Sequence, residues 1–255
     1  MTSRDSVHYR KAPDPGSELD NHRAPAVAVA VGAHPDDIEI GCGATLAKWA
    51  ERGCLVHHIV CTDGSKGSWD PAENVPRLVE MRREEQRAAA RALGGRGKVI
   101  FLGWMDGELE AGLRERRQLC AWIRELRPEV VMGHDPFKRY RLHPDHRNAG
   151  FLTLDAVVAA RDPLFFPGVG GPAHRPDAIY LWEAEEVNHV EDVSDTLGKK
   201  IDALGAHRSQ LMSTMGIADP NDRSALRAWV TERAKQVGRH ASLDLGEAFH
   251  LITDT

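Results

Sequence analysis

The stretch VGAHPDDIEIGCG, from Val31 to Gly43, sets an imidazole at His34 and two adjacent carboxylates at Asp36 and Asp37 where an apolar run ends. His34 and Asp37 bracket a tight proline-containing turn that can aim a ring nitrogen and a carboxylate oxygen at one cation. That mixed donor set suits zinc. Asp36 should point differently from Asp37, which leaves one carboxylate free of the metal. A catalytic zinc site takes three protein donors and keeps one open position, so a third donor must come from another segment. The stretch RLHPDHRNAG offers His143, Asp145 and His146 for that purpose.

These residues need a frame that brings two distant segments to one rim. From AVAVAVGAHPDD onward, short β-branched runs alternate with longer helical patterns, the order of a parallel sheet covered on both faces. Strands are predicted over Ala26 to Ala33, Leu55 to Cys61, Lys98 to Leu102, Glu129 to Gly133 and Ala178 to Trp182. Between them, GATLAKWAERG reads as a helix stopping at Gly53, and NVPRLVEMRREEQRAAARALGG as a longer one ending in two glycines. Arg114 to Arg127 reads as a helix with Leu119, Trp122, Ile123 and Leu126 on one face and its arginines in solvent. Another helix begins near Asp145. Two more follow, one capped by Ser194 with Leu197, Ile201 and Leu204 inward, the other carrying Leu226, Trp229, Val230 and Val237. The loop from Pro163 to Pro176 is placed as one able to shape or cover a pocket. The fold class is α/β, a three-layer sandwich with a mostly parallel central sheet. In such sheets ligands gather beyond the carboxyl ends of the strands, where HPDD falls.

With 255 residues and 42% hydrophobic content, the chain can bury one large core. We read residues 1–25 as an N-terminal arm and 26–255 as a single domain. A net charge of −5 gives no general attraction to nucleic acid or anionic lipid. Four scattered cysteines without a C-x-x-C pair point to free thiols in a reducing cytoplasm. The amino-terminal stretch has no apolar core of a signal peptide, and no run is long enough to cross a bilayer. The partner expected is a small molecule, with neither nucleic acid nor membrane, and a homo-oligomer is compatible with all of this.

AHPDDIEIGCG together with HPDHR resembles the LmbE-like, or PIG-L, family of metal-dependent deacetylases of N-acetylated sugars and related amines. Further stretches match in order: TDG at Thr62, R-x-x-E at Arg82 to Glu85, FLGWMDGEL from Phe101 and AHRSQ from Ala206. The resemblance covers roughly Ala26 to Gln210 and implies a Rossmann-like fold. It implies that His34, Asp37 and His146 hold zinc (Zn2+), with another divalent ion such as Fe2+ as the alternative. It further implies Asp36 as general base, a protonated His143 facing the oxyanion, and Asp145 orienting a histidine of its own motif. Arg82 and Asp106 would reach substrate hydroxyls. His207 lies in a stretch to which no role is attached.

The implied activity is hydrolysis of an N-acyl amide, foremost N-acetyl, on an amino sugar or glycoconjugate, releasing acetate and a free amine. Whether Asp36 or His143 protonates that amine stays open. The alternatives are an amidase for a larger thiol-conjugate amide and a non-catalytic metal-binding α/β module. Dinucleotide binding is rejected because GAHPDDIEIGCG is not G-x-G-x-x-G. Around the site, Cys42 reads as a packed thiol, Glu85 as a helical-face partner for Arg82, and Lys138 to Arg141 as solvated loop. His134 is placed to support a metal-binding residue by hydrogen bonding. Trp69 and Trp104 read as core or loop anchors.

Overall fold

The computed structural model describes residues 8–9 and 23–255. Most of the predicted arm lies outside those residues. Within it, strand β1 (His8–Tyr9) pairs in parallel with the short strand β7 (Glu186–Val187).

Strand β2 (Val27–Gly32) shows why a parallel sheet forms: alternate side chains face opposite ways, and both ways are apolar. Val29 and Val31 join one core with Leu119, Ile123, Leu152 and Ala156. Ala28 and Ala30 join the other with Leu46, Trp49 and Ala89. Around β2 run β3 (Leu55–Thr62), β4 (Val99–Trp104), β5 (Val130–His134) and β6 (Ala178–Trp182), these five strands all parallel to one another. The sheet continues antiparallel through β9 (Gly246–Ile252) to the edge strand β8 (His189–Asp192). Its order is β4-β3-β2-β5-β6-β9-β8.

The chain steps outward from β2 to β3 and β4, then returns to the other side of β2 at β5. The loops after β2 and β5 therefore part at the switch point, where an open crevice must form. Helices α1 (Asp37–Glu51) and α2 (Val75–Ala92) cover one face, and α3 (Leu113–Leu126) and α4 (Pro144–Arg161) the other. A third cluster joins α5 (Leu197–Ala206), α6 (Leu211–Met215) and α7 (Arg223–Ala241) through Ile201, Leu204, Leu211, Met215, Leu226 and Val230. Among the described residues, no helix is long and apolar enough to cross a membrane.

Several expectations need correction. Strands β8 and β9 extend the sheet beyond the five predicted. Helix α1 starts at Asp37, well before Gly43, and kinks at Cys42 (φ −146, ψ 17). Beyond the kink the buried carboxylate of Glu247 on β9 accepts from the amides of Ala44 and Thr45 at 3.1 and 2.7 Å, capping the second segment from a strand about two hundred positions away. Thr196, not Ser194, precedes α5, and the Ser194 hydroxyl donates instead to Asp192.

The arginines of α3 are not all in solvent. Arg124 is buried and donates to the carbonyls of Ala159, Ala160, Asp162, Phe165, Phe166 and Val169. It thereby satisfies carbonyls at the end of α4 that no helical amide can reach. The same bonds tie down the Pro163–Pro176 loop, whose His174 bonds Pro128 just before β5. This loop sits at the amino edge of the sheet, opposite the crevice, so it shapes no pocket there.

Candidate metal centre and active site

Asp36 lies at the junction of β2 and α1 with φ 105, a left-handed conformation unusual for a residue other than glycine. This turn makes the two adjacent carboxylates diverge. Asp37 faces His34, His134 and His146, whereas Asp36 faces Arg82 and Thr214. Strained backbone of this kind persists where the surroundings hold it, and here Gln86 Oε1 accepts the Asp36 amide at 3.0 Å.

Donor atoms of three residues converge across the switch point, with both oxygens of Asp37 taking part. His34 Nδ1 lies 3.3 Å from Asp37 Oδ2 and 3.2 Å from His146 Nε2, and His146 Nε2 lies 3.2 Å from Asp37 Oδ1. A tetrahedral ion with bonds of about 2.0–2.1 Å sets its donors about 3.3 Å apart, so this spacing fits one cation.

Among the described residues, metal-type donors cluster in three overlapping groups: His34 with His143 and His146, Asp37 with His134 and His146, and His34 with Asp106 and Asp145. The hydrogen-bond network shows how their members are held. Nδ1 of His134 accepts from Trp182 Nε1 and from Arg141 Nη1, each at 3.1 Å. Its Nε2 lies 3.3 Å from Asp37 Oδ2 and takes the Ala33 amide at 3.4 Å, so both ring nitrogens already have partners within the fold. Nδ1 of His143 accepts the Asp145 amide at 3.3 Å, so its Nε2 carries the proton. His34 Nε2 faces Asp145 Oδ2 at 3.1 Å and Asp106 Oδ1 at 3.2 Å, while its Nδ1 faces Asp37 and His146. His34, Asp37 and His146 lie together here as candidate donors.

The local sequence builds each position. His143 caps α4 and Pro144 opens it, where a missing amide proton costs nothing. Asp145 in the first turn suits the positive helix end and also accepts from the amides of Gly107 and Leu109 at 2.6 and 3.2 Å. Gly41 is needed on α1 because a Cβ there would meet the Trp182 ring at 2.5 Å.

Charge follows from these contacts. Burial alone would push His34 down, but Asp106, Asp145 and Asp37 outweigh it and hold it well above its ordinary value. Burial would raise Asp37, yet His146 and His134 hold it well below the usual carboxylate range. Burial pushes Asp36 up to about 6 against the opposing pull of Arg82, with Asp37 adding to the rise. Burial, then His34 and His146, push His143 down.

Other predicted roles meet different surroundings. Asp145 contacts His34 of the first motif through its carboxylate, not a histidine of its own. Asp106 is buried, with Oδ1 on His34 at 3.2 Å and Oδ2 accepting from the Lys66 amide at 3.0 Å. Arg82 is buried as well, donating to the carbonyls of Gly64 and Pro35 at 2.8 and 2.7 Å, with Nη2 3.8 Å from Asp36 Oδ2. Glu85 binds Ser209 and not Arg82. Arg141 is no solvated loop residue: it is buried against His134 and pairs with Glu183 at 2.9 Å. Trp69 is 82% exposed and anchors nothing.

His207 acquires a place that its motif did not suggest. It is buried, with Nε2 3.1 Å from Glu39 Oε2, and Glu39 Oε1 accepts from Gln86 Nε2 at 2.7 Å. Gln86 in turn holds the Asp36 amide, so the pair supports the strained turn from below. Thr214 and Gln86 were not singled out from sequence. Gln86 lies one helical turn from Arg82 on the buried side of α2, a signal that could have found it.

An α/β sheet whose switch point carries a His–Asp–His centre with a further carboxylate beside it defines a metal-dependent hydrolase. The family described as PIG-L, GlcNAc-PI de-N-acetylase, matches residues 29–157, and the chain belongs to that family. Diacetylchitobiose deacetylase of Thermococcus kodakarensis is 36% identical over 180 residues, 69% of this chain and 67% of that protein. The 1D-myo-inositol 2-acetamido-2-deoxy-alpha-D-glucopyranoside deacetylase of Mycolicibacterium gilvum is 32% identical over 221 residues, covering 72% of this chain and 77% of its own. The solved N,N'-diacetylchitobiose deacetylase of Pyrococcus horikoshii superposes with a TM-score of 0.80 at 28% identity, over 92% of this chain and 88% of that one.

Proposed function

We propose that the protein hydrolyses the N-acetyl amide of an amino sugar, with zinc held by His34, Asp37 and His146. The observation that carries this is the meeting of His34, Asp37 and His146 at donor distances of 3.2–3.3 Å beside a carboxylate that takes no part in them, in a chain whose relatives are named as deacetylases of acetamido sugars. When bound, the cation supplies Lewis acidity, polarising the amide carbonyl and acidifying water.

The chain's own groups do the rest. Asp36, raised to about 6, is a stronger base than an ordinary aspartate yet still ionised at neutral pH, which suits it to accept a proton from the attacking water. His143 presents Nε2–H beside His34, with 4.6 Å between ring centroids, as the donor toward the developing oxyanion. Asp145 and Asp106 hold the tautomer of His34, and Arg82 holds the negative charge of Asp36. Residues 26–255 act as one catalytic domain, since the sheet is continuous from β4 to β8. The four cysteines are buried and free, which fits the reducing cytoplasm.

The test is acetate release from N-acetylated mono- and disaccharides by the purified protein, before and after chelation and zinc add-back. Activity should vanish and return. Asp36→Asn should keep its zinc while losing about 10²–10⁴-fold in kcat, and His34→Ala should lose both. Turnover that persists without metal overturns the proposal.

A further inference from the structure

The AHRSQ stretch lies beyond the family match, which ends at residue 157, and its function is unassigned above apart from His207. Its polar side chains are all spent on holding the chain still. Ser209 donates to Glu85 from its amide and hydroxyl at 2.9 and 2.6 Å, and Gln210 Nε2 donates to the Gly67 carbonyl at 3.2 Å. Helix α6 starts immediately afterwards. Leu211 and Met215, one turn apart, are buried in the third core cluster, and Gly216 with φ +70 ends the helix. Seated in this way, α6 brings Thr214 to the mouth of the site, where its hydroxyl donates to Asp36 Oδ2 at 3.2 Å.

We propose that Thr214 is a positioning residue for Asp36, fixing the plane of that carboxylate so that Oδ1 is turned to the attacking water. Two observations carry this. Among the described residues, Thr214 is the one side chain within hydrogen-bond distance of the Asp36 carboxylate; Arg82, at 3.8 Å, contributes charge without a directed bond. Both neighbours fall on Oδ2, and among the described residues Oδ1 takes no hydrogen bond. A carboxylate held at one oxygen by a directed donor loses its freedom about the last torsion, which is where misplacement of a proton acceptor costs rate. Thr214 is itself exposed, so its hydroxyl adds little to stability, and a fold-keeping purpose does not account for a donor aimed at a buried aspartate.

The proposal rests on Asp36 as the general base of the deacetylase, and the test separates the two. Thr214→Val removes the hydroxyl and keeps the shape; Thr214→Ser keeps the hydroxyl. On N,N'-diacetylchitobiose with zinc-loaded enzyme, Thr214→Val should lose roughly 10- to 100-fold in kcat with KM within about twofold, while Thr214→Ser recovers to within about threefold. Zinc content and melting temperature should match the parent in both. Full kcat in Thr214→Val overturns the proposal, as does an equal loss in Thr214→Ser. Should the parent enzyme be silent on every N-acetyl amino sugar, the deacetylase reading fails. Thr214 is then judged on crystal structures of parent and Thr214→Val: a rotated Asp36 carboxylate supports its positioning role and an unmoved one overturns it.

Discussion

Trp182 donates its indole N–H to Nδ1 of His134 at 3.1 Å, and the far nitrogen of that ring faces Asp37. An aromatic residue at the end of β6 thereby fixes the orientation of a buried histidine that faces the carboxylate of Asp37, a candidate metal donor. Trp182→Phe should weaken zinc binding about 10-fold, since partners of this kind typically contribute 10- to 100-fold in affinity. Competition with a chromogenic chelator measures it. Gly41→Ala should act likewise by pushing the indole away, and unchanged affinity in both variants would show that the ring is mere packing.

Asp106 and Asp145 give opposing expectations for two roles. If Asp106 met a sugar hydroxyl, Asp106→Asn would raise KM and leave zinc in place. Because its Oδ1 lies 3.2 Å from His34 Nε2, we expect instead weaker zinc binding with KM little changed at saturating zinc. Asp145→Asn should do the same and more, as it also accepts two backbone amides. Zinc titration alongside steady-state kinetics distinguishes the outcomes.

Arg124 offers a stability test remote from the chemistry. Arg124→Ala strands several buried carbonyls at the end of α4 and should cost about 3 kcal/mol. For a chain of this size that is roughly 6–12 °C in melting temperature. Zinc affinity should hold in the variant, because the crevice lies at the other edge of the sheet. A melting point within a degree of the parent would mean that water replaces the guanidinium.

Glu39 sets an acid limit. Burial would raise its pKa, but His207 and His58 bring it down to about 2 from the ordinary 4.5. A depressed carboxylate stabilises the fold fully above its unfolded value, so this contribution is intact above pH 4.5 and is lost as pH falls toward 2. A shift of this size corresponds to about 3 kcal/mol. Acid unfolding followed by tryptophan fluorescence should be less steep over that window in Glu39→Gln.

The parallel half of the fold was readable because each strand is apolar on both faces and each helix has its own stripe or cap. Asn74 at the start of α2 and His143 at the start of α4 are local signals of that sort. Strands β8 and β9 escaped because HVED and GEAFHLI hold no long apolar run; their pairing depends on a sheet edge built elsewhere. Type and spacing singled out His34, Asp37 and the His143–His146 cluster for metal chemistry, and the particular donor set came from the family resemblance. Among the groups around them His134 was legible, but others were not: Arg82 and Glu85 sit at helical spacing and look like a pair, yet one turns to Asp36 and the other to Ser209. A threonine in an unremarkable polar stretch carries no mark that an aspartate 178 positions away will accept its proton.

The left-handed turn at Asp36 divides the labour of two neighbouring carboxylates between two walls. Asp37 is gripped from the β5, β6 and α4 side, Asp36 from α2 and α6. Drift in one wall can therefore retune turnover without unloading the ion, and drift in the other can change the ion without disturbing the proton acceptor, so a lineage on this scaffold can explore new amides one variable at a time.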